Sequence, residues 1–286
     1  MSVAVETIPG YCVDAQCACH QPGARAVRDL EGFPPDCCKR CGRRGPKPGT
    51  IVLPPDPVSI REMHARIEQT HRAHADVIEA MHKVWYESNH TWVLTRFLGV
   101  GLMKNPFDLW VYQDLITQQR PKTILETGTY SGGSALWFAS LMDLLGIDGR
   151  VLTIDLDDHR VCDHPRITFL GGDSRDPQLA AAVLAEVEHP LLISLDADHT
   201  EAHVRAELEL YASAVAVGEY LVVEDTNISW PHNRGAGGAV ADYLAAHPGE
   251  WRRDLLAERY LLTMSPGGWL QRMEPYGQTS PVSTLD

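Results

Sequence analysis

Between residues 123 and 225 the chain repeats one pattern of apolar and polar positions. A short apolar run reaches an acidic residue, and a stretch with apolar positions three and four apart follows. The runs are Thr123–Leu125 before Glu126, Val151–Ile154 before Asp155, Ile167–Leu170 before Gly171-Gly172-Asp173, Leu191–Leu195 before Asp196, and Tyr220–Val223 before Glu224-Asp225. Runs of this length bounded by turn residues predict buried strands, and the intervening segments, notably Pro177–Val187 and Glu201–Val215, predict helices. Strand and helix in alternation predict an α/β fold with a doubly wound, mostly parallel sheet covered on both faces. Right-handed crossovers then bring the carboxyl ends of the strands to one edge.

Ahead of this block the period changes. Ile60, Met63, Ile67, Val77, Ile78, Met81, Val84 and Trp85 recur at helical spacing, which predicts one long or two shorter amphipathic helices over about 59–88. His64, His71, His74 and His82 along it read as solvated polar-face residues, with a metal shared by His71 and His74, three apart, as the alternative. Asp108–Ile116 predicts a further helix, closed by Arg120-Pro121. Lys104, Trp92 and Trp110 are candidate pocket-lining residues, although each taken individually reads more readily as packing or surface.

The 286 residues divide as a Cys-rich module (1–55), a helical bridge (56–95), the α/β domain (96–275) and a tail (276–286). The 44% hydrophobic content supports a real core, and no apolar run is long enough to span a bilayer. The first residues lack the basic and apolar regions of a signal peptide, so a cytoplasmic location is the expectation. A formal charge of −13 argues against a broad nucleic-acid-binding surface. Of seven cysteines, six lie before residue 42. Cys17-x-x-His20 and Cys38-x-x-Cys41, with Cys19 and Cys37 as alternative ligands, have the spacing of a structural zinc site. Reduced, uncoordinated cysteines, or an iron–sulfur or disulfide set, are the competing readings.

The candidate chemistry lies at the strand ends. Thr123–Ser134 runs from a strand through Glu126 and Gly128 into Thr129, Tyr130 and a small-residue helix start, a corner at which α/β folds bind nucleotide-like ligands. The dinucleotide spacing G-x-G-x-x-G is absent, and Glu126 would repel a pyrophosphate. Asp155, 29 positions after Glu126, stands where such folds hold a ribose diol, and Asp173-Ser174 stands where a nucleobase edge would lie. Asp196, Glu224 and Asp225 converge from the next two strand ends. Such a set of oxygen ligands predicts a hard divalent ion such as Mg²⁺. Asp198, two residues after Asp196, is the alternative ligand. His199 is the candidate base for a hydroxyl proton, against the plain reading of a histidine opening a helix.

Ile124–Ser134, Leu195–His199 and Val222–Asn227, with Lys104-Asn105-Pro106-x-Asp108-Leu109-Trp110 and Leu261-Leu262-Thr263-x-x-Pro266-Gly267-Gly268, resemble the cephalosporin hydroxylase/rhamnosyl O-methyltransferase family over about Asn89 to Arg272. This is a branch of the class I S-adenosylmethionine-dependent methyltransferases. The resemblance implies a seven-stranded sheet with an antiparallel edge pair near Trp251–Asp254 and Leu261–Met264. It implies that Glu126, Gly128, Thr129, Tyr130 and Ser134 face the methionine part of the cofactor. Asp155 would hold the ribose, Asp173 and Ser174 would lie by adenine, and Asp196 would border the cofactor too. It also implies Mg²⁺ on Asp196, Glu224 and Asp225, whose acidic pair follows Asp196 by 28 and 29 positions, and catalysis by His199 with Asp196. The Cys-rich arm departs from the family pattern, and Ile228–Gly238 is the expected substrate lid.

The expected activity is S-adenosylmethionine- and Mg²⁺-dependent methylation of a hydroxyl, such as that of a deoxysugar, on a small natural product in secondary-metabolite biosynthesis. A homo-oligomer is expected. The alternative is a non-catalytic, S-adenosylmethionine-binding partner of a hydroxylating or methoxylating enzyme.

Overall fold

The computed structural model describes residues 57–88, 90–229 and 232–274. The Cys-rich arm and its zinc reading, and the tail 276–286, lie outside the described residues. Two helices come first, α1 (Pro57–Ala73) and α2 (Ala75–Glu87), then the short α3 (His90–Val93) and a small hairpin of β1 (Arg96–Phe97) and β2 (Val100–Gly101). After them come α4 (Pro106–Gln119), β3 (Thr123–Thr127), α5 (Gly133–Leu145), β4 (Arg150–Asp155), β5 (Ile167–Gly171) and α6 (Pro177–Leu184). The rest is β6 (Leu191–Leu195), α7 (Glu201–Tyr211), β7 (Tyr220–Val223), α8 (Gly235–Ala246), β8 (Trp251–Arg253) and β9 (Trp269–Arg272).

The last seven strands form one sheet in the order β5-β4-β3-β6-β7-β9-β8. Pairing is parallel from β5 to β7, and β9 runs antiparallel to both of its neighbours. The expected edge pair is present, with its second strand displaced: Trp269–Arg272 takes the place assigned to Leu261–Met264. The apolar run at 261–264 is buried for another reason. Asp108, at the start of α4, accepts a hydrogen bond from Met264 N at 2.8 Å, which ties the run to the helix as a loop.

Alternation within each strand builds the two faces of the core. Leu125, Leu152, Ile193 and Leu221 meet Val183, Val204, Leu208 and Val240 of α6, α7 and α8. Ile124, Val151, Leu192 and Val222 meet Tyr112, Ile116, Phe138 and Met142 of α4 and α5, with Trp269 completely enclosed among them. Helix starts follow the local chemistry: Asn105 accepts from Phe107 N ahead of Pro106, and Asp176 accepts from Gln178 N ahead of Pro177.

The predicted helical bridge is two helices rather than one. Three of its histidines are partly buried against the protein instead of solvated: His64 Nε2 lies 3.3 Å from Asp254 Oδ1, His71 Nε2 lies 3.1 Å from the Glu258 carbonyl oxygen, and burial lowers the pKa of His82. His64 and His71 face Asp254 and Glu258 on the segment after β8. Among the described residues no helix is long and apolar enough to cross a membrane.

Candidate active site

Parallel register brings the acidic residues to one edge. Thr127 pairs with Ile154 and Leu195, Asp155 with Gly171, and Leu195 with Val223, so the residues that follow each strand open onto a common cleft. The cleft is a cavity of about 590 Å³. Its walls include Gly128, Thr129, Tyr130 and Ser134 on one side, Asp155, Asp173 and Ser174 on the next, and Asp196, Asp198, His199 and Asp225 beyond. The residues expected from the sequence to meet a cofactor, apart from Glu126, thus line a single space.

The turn after β3 is built for close approach. Gly128 has φ +88, and a Cβ there would lie 2.1 Å from the carbonyl oxygen of Asp196. Gly133 is confined in the same way, its Cβ position lying 2.1 Å from the Gly101 carbonyl oxygen. Tyr130 also has positive φ, at 46°, and is held there by Asp155. Tyr130 N donates to Asp155 Oδ2 and Leu156 N to Asp155 Oδ1, each at 2.8 Å. Asp173 carries Arg175 on both oxygens, and this pairing lowers its pKa to about 2. Ser174 Oγ and His203 Nε2 are 3.1 Å apart. His203 also lines the cavity. Nothing in the sequence pattern singled it out, because it sits on the buried face of α7 at ordinary helical spacing.

Glu126 does not face the cavity. It is fully buried beneath the turn, where Thr153 Oγ1 donates to its Oε2 at 2.8 Å and Thr129 bonds Thr153 in turn at 2.7 Å. Its Oε1 has no partner among the described residues, and burial pushes its pKa up to about 7. A strand of five buried residues keeps its penultimate side chain inside the protein, one residue short of the turn.

Asp196, His199 and Asp225 come together. Each offers one ligand atom, and these atoms lie within 4.8 Å of one another; His199 Nε2 is 3.1 Å from Asp225 Oδ2. Two acids expected with them carry other hydrogen-bond partners. Asp198 accepts from Thr200 N at 2.8 Å, as the turn into α7 requires. Glu224, almost fully buried, receives Lys104 Nζ at 2.5 Å, Tyr112 Oη at 2.6 Å and Ser194 Oγ at 2.9 Å, all on Oε1. Burial opposes ionisation of Glu224, but these three donors hold its pKa below the ordinary carboxylate value.

Lys104 is therefore part of the site, and Trp92 lines the cavity, so for these two the pocket alternative holds over the plainer reading as packing or surface. Its ammonium also meets Asp196 Oδ2 at 2.8 Å. Burial works against that charge, yet the flanking carboxylates raise its pKa above the ordinary lysine value. The signal available in sequence was its place one residue before the Asn105-Pro106 helix start, which fixes where the side chain leaves the backbone.

The expected lid divides. Gly235, Ala236 and Gly238 are buried in the first turns of α8, and a Cβ on Gly237 would lie 2.6 Å from the Thr226 carbonyl oxygen, so these glycines serve close helix packing. Ile228 and Ser229 instead border a second cavity of about 960 Å³ along α1 and α2. Tyr86 borders both cavities.

Comparison with known proteins agrees with this architecture. The sequence model of the family described as Rhamnosyl O-methyltransferase/CmcI matches residues 89–273. A rhamnosyl O-methyltransferase of Mycobacterium tuberculosis (strain ATCC 25618 / H37Rv) is 34% identical over 210 residues, covering 68% of this chain and 85% of the relative. That of Mycobacterium leprae (strain TN) is 31% identical over 227 residues, covering 74% and 98%. A solved structure of CmcI described as a Mg–SAM form is 28% identical, with a TM-score of 0.56 over 64% of this chain and 78% of that one. An apo structure of CmcI is 30% identical, with a TM-score of 0.53 over 64% and 77%. The chain belongs to the rhamnosyl O-methyltransferase/CmcI family and is an S-adenosylmethionine-dependent O-methyltransferase of class I.

Proposed function

We propose that this family member methylates a hydroxyl of a small natural product, such as a deoxysugar, with a divalent cation of the Mg²⁺ type. The reading rests on one observation: the 590 Å³ cavity joins the glycine turn, Asp155 and Asp173 to the Asp196–His199–Asp225 cluster. The residues present suit the cofactor, since a glycine turn opening onto the cavity and an acid, Asp155, at the end of the next strand match an amino acid joined to a nucleoside. In this reading Tyr130 and Ser134 flank the methionine part, Asp155 takes the ribose diol, and Asp173, Ser174 and His203 surround adenine.

The oxygen-rich donor set of Asp196 and Asp225 suits a hard cation, and Glu224 stands beside them. Such an ion, when bound, supplies Lewis acidity that lowers the pKa of the acceptor hydroxyl. His199 takes the proton, oriented by Asp225 at 3.1 Å. Methyl transfer then needs little from the protein beyond alignment of two bound partners. The 960 Å³ groove beside Tyr86 is the approach for the acceptor, and the CmcI Mg–SAM structure supports the metal assignment by analogy.

The test is formation of S-adenosylhomocysteine with a panel of hydroxylated glycosides and related natural products. Turnover is expected to need Mg²⁺ and to be lost in Asp196→Asn with cofactor affinity retained. Undiminished turnover in EDTA would overturn the metal role.

A further inference from the structure

The loop between β2 and α4 delivers a buried positive charge to the acids that follow β6 and β7. Met103 has φ 54°, and Asn105 caps α4, so Lys104 leaves the chain at a bend. Its side chain is 2% exposed, with Asp196 Oδ2 at 2.8 Å and Glu224 Oε1 at 2.5 Å. An ammonium group buried alone costs several kcal/mol in real proteins, and two carboxylates brought face to face carry a comparable penalty. Each side of this arrangement offsets the other. Tyr112 and Ser194 complete it by donating to the same Glu224 oxygen.

We propose that Lys104 is the resident counter-ion of the acidic edge: it holds Asp196 and Glu224 together while no divalent cation is bound, and it weakens the site's grip on that cation. The inference rests on the metal reading above and deepens it. An ion about 2.1 Å from an Asp196 oxygen stands within about 7 Å of the ammonium group. At that range repulsion between a dication and a unit charge, with an effective dielectric near 20, exceeds a tenfold effect on affinity. Lys104 is thus a positioning residue whose charge sets metal affinity without touching substrate.

The experiment is calorimetric titration of Mg²⁺ into the full-length, EDTA-treated protein, wild type against Lys104→Met, with melting temperatures measured in parallel. Lys104→Met is expected to bind Mg²⁺ at least about tenfold more tightly. Its metal-free melting temperature should fall and recover on adding Mg²⁺ by more than wild type gains. A purely structural lysine would not tighten metal binding, so equal or weaker affinity in the variant overturns the proposal. Binding by the variant alone, or by neither, would remove the metal reading of the native site and the proposal with it. If the variant folds only with Mg²⁺ present, the ion has replaced the ammonium group, as proposed. A variant unfolded in both conditions overturns it.

Discussion

Gly128→Ala tests the link between fold and chemistry most directly. The residue sits at φ +88, a conformation in which alanine is worse than glycine by about 1–2 kcal/mol. The new methyl group would also lie 2.1 Å from the Asp196 carbonyl oxygen, where real Cβ contacts stay beyond 3.0 Å. The tips of β3 and β6 must therefore separate by roughly 1 Å, against the Asp196 N to Thr127 carbonyl bond of 3.0 Å that joins them. Strain and lost packing together should exceed about 4 kcal/mol, in the range reserved for severe single substitutions. For a domain of this size that lowers the melting temperature by on the order of 10 °C. The same shift carries Asp196 away from the turn, and a displacement of 1 Å costs about a hundredfold in rate. Thermal melts and S-adenosylhomocysteine formation measure the two effects. A variant that melts and turns over like wild type would show that the close approach at Gly128 constrains neither strand nor site.

Three further expectations follow from the same geometry. Tyr112→Phe removes the 2.6 Å donation to Glu224 and should cost about 1.5–3 kcal/mol by denaturant unfolding; an unchanged midpoint would deny that bond its weight. Asp155→Ala frees Tyr130 N and Leu156 N and should weaken S-adenosylhomocysteine binding at least about tenfold by calorimetry, whereas a wild-type isotherm would refute the ribose assignment. Asp108 has its pKa pushed up to about 7, chiefly by burial, with the Met264 N–H opposing. The unfolded chain ionises near pH 4 while the folded protein keeps the proton, so stability falls as pH rises from about 4 to 7 and levels off above. Asp108→Asn should remove that slope, and its melting advantage over wild type should grow between pH 5 and pH 7.5; a gain independent of pH would count against it.

The sheet was legible because each strand is a short apolar run closed by an acid or a glycine, and burial from both faces leaves few other readings for such a run. Leu261–Met264 was assigned to the edge pair by the family resemblance, and there the assignment missed. Its apolarity is real, but Asp108 captures its backbone, and Trp269-Leu270 after Gly267-Gly268 fills the ladder instead. The cavity residues were legible from their position at strand ends, where parallel register fixes their neighbours. What the pattern left open was which way a side chain turns once it arrives. Glu126 stays inside because it lies within the strand, and Glu224 turns to Lys104, a partner 120 positions away. Pairings of that range leave no trace in local periodicity.

The insertion of β9 between β7 and β8 has a consequence for how the protein is made. On the ribosome, β7 emerges with its outer edge bare, and β8 has no sheet neighbour at all until Trp269–Arg272 follows. Chains released by a stop codon between residues 254 and 268 would expose two unpaired edges, a template for aggregation. The strand that precedes Glu224 and Asp225 accordingly gains its outer neighbour late in synthesis.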